Sequence, residues 1–201
     1  MSALYDEYWG KHLEVFDTLQ PGNTIPLPSG SLHLTDDKLF IFSQYIYMTK
    51  RVDTFRAVSA ASKALIIPGV APVGSPGIGK TRYLDLLLLR ELSRKKPVLF
   101  SSPAGYLFFN EDDVHLFFEN KARYILRDIR FRGILALVDA DSEDPPPAVL
   151  VYRSPMFIVQ VAYTRKNHVY WLKQRQESLQ FCFKPPTMEE LEAMLSLYDK
   201  T

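Results

Sequence analysis

The sequence predicts an α/β fold with a mainly parallel sheet, and three observations carry that prediction. A short apolar run ending at Val73, a turn, a strongly apolar helical stretch over 83–92 and a further strand over 98–100 follow one another as one βαβ unit. The turn in that unit, between strand and helix, is rich in glycine. Strand-like runs then recur at 134–138, 157–162 and 179–183, separated by polar, helical or Pro-rich connections.

Composition bounds the remaining classes. A chain of 201 residues suits one domain, or one domain with a short extension. With 47% hydrophobic and 23% charged residues it can bury a core and stay dissolved, which excludes disordered and fibrous classes. The net charge of +1 provides no global field for nucleic acid or an anionic membrane, so any such contact must be local. Cys182 stands alone and precludes an internal disulfide, and His12, His33, His115 and His168 lack metal-ligand spacing. No signal peptide is visible, and no stretch approaches the ~18 apolar residues of a membrane span. The expectation is an intracellular protein of the cytoplasm or nucleus, without membrane contact.

The elements read in order as follows. Leu4, Tyr8, His12, Val15 and Phe16 approach helical spacing and predict an amphipathic helix within 2–17. Pro21, Gly22, Pro26, Pro28 and Gly30 mark 20–31 as a linker. Residues 38–49 fit strand or helix equally, and 52–64 read as helix with Phe55, Val58 and Ala61 on one side. Residues 1–62 are thus a helical and irregular extension before a domain spanning 63–201. Pro68 and Pro72 restrict the first strand to 70–73 or leave it irregular. After the βαβ unit, 106–109 and 114–118 predict an aromatic hairpin turned by 110–113, with Phe108, Phe109, Phe117 and Phe118 as cross-strand partners. The 13 Phe, 11 Tyr and 2 Trp are expected chiefly in the core, with base-stacking platforms as the other reading. Residues 121–132 predict a basic helix. Thr187 followed by Glu190 is a capping box opening a last helix through Leu191, Met194 and Leu195.

The chemistry concentrates at Gly74, Ser75, Pro76, Gly77, Ile78, Gly79, Lys80 and Thr81, which fit G-x-x-x-x-G-K-[ST] at every fixed position. The glycines let successive N–H groups turn inward on phosphate oxygens, and the following helix adds its positive dipole end. Lys80 is the candidate bridge between β- and γ-phosphates, and Thr81 the candidate Mg²⁺ ligand. Asp139, closing the apolar run 135–138, is the candidate second magnesium ligand. A structural reading stands beside each: a Gly-Pro turn with a solvated lysine, and a strand-end aspartate capping a turn.

Water activation is less defined. Ala140 occupies the position where many such enzymes carry a glutamate, leaving Asp141 and Glu143 as candidate bases, or as solvated loop acids. Thr164 or Asn167 is a candidate γ-phosphate sensor, and Arg165 a phosphate contact or a solvated loop residue. Arg123, Arg127 and Arg130 fall at i, i+4 and i+7, a basic stripe suited to a nucleic-acid backbone or to a solvated face.

With the glycine loop running into Tyr83-Leu84-Asp85-Leu86-Leu87-Leu88-Leu89, several pieces follow in order: the aromatic hairpin, the Asp139 strand, Phe157-Ile158-Val159-Gln160-Val161, Trp171-Leu172-Lys173-Gln174 and Pro186-Thr187-Met188-Glu189-Glu190-Leu191. In this series the chain resembles the P-loop NTPase domain of Crinkler-type and retrotransposon-hot-spot proteins, many of them fungal, over about 63–195. The resemblance implies a three-layer α/β/α sandwich with additional-strand sheet order 5-1-4-3-2, ATP as nucleotide, and a role tied to mobile elements or nuclear effectors. It departs from the family in showing no leader motif, no nuclease domain and no C-terminal helical region. Two functions follow as expectations. One is a Mg²⁺-dependent ATP-binding domain with slow or partner-stimulated hydrolysis; the other is a nucleotide-dependent or degenerate interaction module without significant turnover. A protein partner or homo-oligomer stays open in both.

Overall fold

The computed structural model describes residues 2–27, 37–61, 68–102, 105–139, 150, 154–162, 170–173, 175 and 178–198. Its centre is a mixed, mainly parallel seven-stranded sheet flanked by helices, with a separate two-stranded hairpin. The hairpin pairs β1 (Thr24–Pro26) with β2 (Lys38–Phe40) in antiparallel register. The main sheet holds β3 (Val70–Val73), β4 (Val98–Ser102), β5 (Gly105–Phe109), β6 (Val114–Phe117), β7 (Leu135–Asp139), β8 (Phe157–Val161) and β9 (Leu179–Cys182). Its order is β6-β5-β4-β7-β8-β3-β9. Strands β4, β7, β8, β3 and β9 run parallel, while β5 and β6 extend the β4 edge as an antiparallel hairpin. Numbered in chain order, the five parallel strands lie 5-1-4-3-2 from the β9 edge.

Alternation along the strands divides the core into two. Val70, Val98, Phe100, Leu135, Leu137, Phe157 and Val159 face one side, where α1 (Ser2–Tyr8), α2 (Ser43–Ala60) and α3 (Lys80–Ser93) supply Leu4, Tyr8, Tyr45, Met48, Val52 and the leucines of 84–92. Ala71, Leu99, Ala136, Val138 and Ile158 face the other, against Ala122 of α4 (Glu119–Ile125), Leu126 and Trp171. Helix α5 (Met188–Tyr198) lays Met194 and Leu197 on the first core. Most aromatics fill these cores, though Tyr47, Phe118 and Tyr124 are exposed. No helix among the described residues is long and apolar enough to cross a membrane.

Pro72 sits inside the ladder of the central strand at a tolerable place. Its carbonyl accepts from Ala162 N on the β8 side, so its missing N–H falls on that side too. Pairing with β8 is accordingly interrupted between Val70↔Val159 and Val73↔Ala162, while the ladder to β9 is continuous from Val70 to Val73.

Several expected elements are corrected. Helix α1 ends at Tyr8 because Gly10 N bonds to Leu92 O rather than continuing the helix, and Glu14–Phe16 is a separate 3₁₀ turn. The expected linker contains β1, and residues 38–49 divide into β2 and the start of α2. On α2 the buried stripe is Tyr45, Met48, Thr49 and Val52; Phe55 is half-buried against Phe157, but Val58 and Ala61 are exposed. In the hairpin, Phe108 opposes His115 and Phe109 opposes Val114, so the Phe108–Phe117 stack is diagonal; Phe118 lies outside the strand. The basic helix stops at Ile125. Asp128 accepts from Arg130 N and starts a new 3₁₀ turn at Ile129–Phe131, so Arg123, Arg127 and Arg130 form no continuous helical stripe.

Burial of α3 forces Arg90 and Glu91 into pairs with α2. Arg90 bonds to Asp53 at 2.5 Å, and Glu91 to Arg56 at 2.8 Å, while Arg56 also donates to the carbonyl of Gly133. Arg56→Ala leaves the buried Glu91 carboxylate largely uncompensated and is expected to cost roughly 3 kcal/mol in urea unfolding. Adding Glu91→Leu should restore part of that loss; a double variant no more stable than the single would refute the pairing account.

Candidate functional site

Residues 74–79 join β3 to α3 at the carboxyl end of the parallel strands. Gly77 and Gly79 hold φ of +74° and +88°, values that side-chain-bearing residues rarely adopt. At Gly79 a Cβ would also stand 2.2 Å from the Tyr45 hydroxyl oxygen. The exposed stretch Ser75, Pro76 and Gly77 precedes α3, a helix of 14 residues whose first N–H groups lack intrahelical partners. Lys80 is buried at 2% exposure and donates from Nζ to Ser75 O at 3.0 Å.

Helix α2 holds the loop from the other side. Tyr45 Oη donates to Gly79 O at 2.7 Å, and Gln44 Nε2 donates to Ile78 O at 3.4 Å. Burial raises the Tyr45 hydroxyl above its ordinary range and keeps it protonated, as a donor must be. Its ring packs among Phe42, Tyr83 and Phe183.

The motif's last residue meets the strand-end aspartate. Thr81 Oγ1 donates to Asp139 Oδ2 at 2.8 Å, across 58 positions of sequence. Two hard oxygen donors converging from a helix start and a strand end suit Mg²⁺, which keeps several waters and takes few protein ligands. Among the described residues no group of three or more His, Cys, Asp or Glu gathers at one point. Thr81 and Asp139 are the residues that could hold such an ion.

Sequence reasoning missed Gln44, Tyr45 and Asp85. Asp85 lies one helical turn beyond Thr81, on the same side of α3, and is buried at 3% exposure. Burial pushes its carboxyl up to about 7; Arg82, 3.6 Å away, opposes the rise and the negative charge of Asp139 adds to it. The signal was present as one acid within the leucine run of 84–89. Nothing in local sequence announced Gln44 or Tyr45, whose role depends on a contact 34 residues away.

Asp141, Glu143, Thr164, Arg165 and Asn167 lie outside the described residues. Arg130 is exposed and paired with Asp128 at 2.7 Å on its own turn. No protein-family model matches the chain, and no curated protein matches it.

A native Asp85 value near 7 against an ordinary ~3.9 means that, between these limits, the folded chain binds more protons than the unfolded one. Asp85 thus favours folding at low pH and loses that contribution as pH rises toward 7. The stability of Asp85→Asn relative to wild type should therefore climb from pH 4 to pH 7.5 in urea titrations; a pH-independent difference would contradict the assignment.

Proposed function

We propose that this chain is a Mg²⁺-dependent, ATP-binding P-loop domain with slow or partner-stimulated hydrolysis, of the Crinkler and mobile-element-associated type. The observation that carries the reading is the Thr81–Asp139 hydrogen bond, which joins the end of G-S-P-G-I-G-K-T to the acid closing β7. Neither an ordinary Gly-Pro turn nor a turn-capping aspartate requires that meeting. The sheet order supports the additional-strand class of P-loop NTPases, since β7 is separated from β3 by β8 alone.

In this reading the loop N–H groups and the start of α3 bind phosphate oxygens, and Lys80 Nζ exchanges its bond to Ser75 O for the β- and γ-phosphates. Thr81 and Asp139 hold magnesium. When bound, the ion neutralises charge developing between the β- and γ-phosphoryl groups. Water attack needs a base, for which Asp141 and Glu143 are the candidates, and Thr164 is the candidate γ-phosphate sensor. Ala140, directly after Asp139, favours a second reading in which nucleotide binding orders an interaction surface without significant turnover. Nucleic acid through Arg123, Arg127 and Arg130 would then rest on separate elements rather than one helical face.

Calorimetric titration of Mg-ATP tests the proposal. Micromolar affinity is expected, weakened at least ten-fold by Lys80→Ala, about 1.4 kcal/mol. Asp139→Asn should remove the dependence of affinity on Mg²⁺. Phosphate release above the Lys80→Ala background would select the enzyme, binding without release the nucleotide-dependent interaction module, and absence of binding would overturn both and leave the degenerate interaction module.

A further inference from the structure

The two carbonyls that α2 grips belong to consecutive peptide units, and a planar trans peptide points its C=O and N–H in opposite directions. Holding Ile78 O toward α2 turns the N–H of Gly79 away from α2. Gly79 O accepts from Tyr45 Oη as well as from Tyr83 N of α3, and the N–H of Lys80 turns away in the same manner. These two amides belong to the glycine loop and the first position of α3, where a phosphate-binding loop presents its donors.

We infer that Gln44 and Tyr45 are positioning residues for a phosphate-bearing ligand: they fix the peptide planes of 78–80 from behind and so aim the amides of Gly79 and Lys80 at its oxygens. The inference rests on the nucleotide-binding reading and adds to it that the site extends into the segment before residue 63.

Two further observations support it. Tyr45 is fully buried and locked by three aromatic neighbours, so its hydroxyl has a fixed address. The first turn of α2 is anchored in turn: Glu190 of α5 accepts from Ser43 N at 2.6 Å and from Thr187 N at 3.0 Å. The pair Gln44–Tyr45 is thereby held at both ends, by the phosphate loop and by the capping carboxylate of the last helix.

The test uses Tyr45→Phe, which removes one oxygen and keeps the ring, and Gln44→Met, which keeps length and burial. Thermal unfolding, Mg-ATP affinity by calorimetry, and backbone amide shifts of the full chain without ligand are recorded for each. The expected result is a five- to ten-fold weaker Kd for either variant, with shifted Gly79 and Lys80 amide resonances before nucleotide is added and a melting temperature within a few degrees of wild type. Wild-type-like affinity and unmoved amides in both variants, with Lys80→Ala still impaired, would overturn this inference and leave the nucleotide reading intact. A wild-type chain that ignores Mg-ATP would overturn that reading and this one with it.

Discussion

The near-complete burial of α3 is the constraint on which the site depends. Every residue from Tyr83 to Ser93 is buried, between the sheet on one side and α1 and α2 on the other. A helix enclosed in this way cannot leave Arg90 or Glu91 in water, so both are met by acids and bases of α2. The same enclosure sets the direction in which α3 begins, and with it the position of Lys80 and Thr81. Segment 43–60 is thus a wall of the site, although in sequence it lies ahead of the recognisable motif.

Much of the architecture was legible because its signals are local. The glycine loop, the apolar run of α3 and the short β-branched strands each carry a period or a spacing that one element imposes by itself. The capping box at Thr187 and Glu190 is also local, and its reciprocal bonds form as expected, with Thr187 Oγ1 accepting from Glu190 N at 3.2 Å. That Glu190 spends a second oxygen on Ser43 N was not legible, since 147 positions intervene. The stripe on α2 was misphased for a related reason. A reading begun at Val52 selects Phe55 and Val58, whereas the helix begins at Ser43 and the face chosen by Tyr45 and Met48 turns Val58 to solvent.

The basic segment shows how one capping residue defeats a periodicity argument. Arg123, Arg127 and Arg130 have helical spacing, but spacing has meaning only along an unbroken helix. Asp128 binds the N–H of Arg130 with one oxygen and its guanidinium with the other, at 2.9 and 2.7 Å, and so closes a new turn. For the candidate site the pattern is similar. Lys80, Thr81 and Asp139 belong to motifs that a linear reading picks out; Tyr45, Gln44 and Asp85 stand out only through burial and long-range contact, which a linear motif does not encode.

The sheet order bears on how the molecule comes into being on the ribosome. Strand β3, the first of the parallel strands to be synthesised, lies between β8 and β9, the last two. The glycine loop that follows it therefore waits, tethered to an unpaired strand, until β8 has emerged, and β3 gains its second neighbour only with residue 182. Contacts this distant in sequence close slowly. Nascent chains would pass through a period in which an apolar strand and a long leucine-rich helix lack their partners, and a chaperone that shelters such segments would find its substrate there.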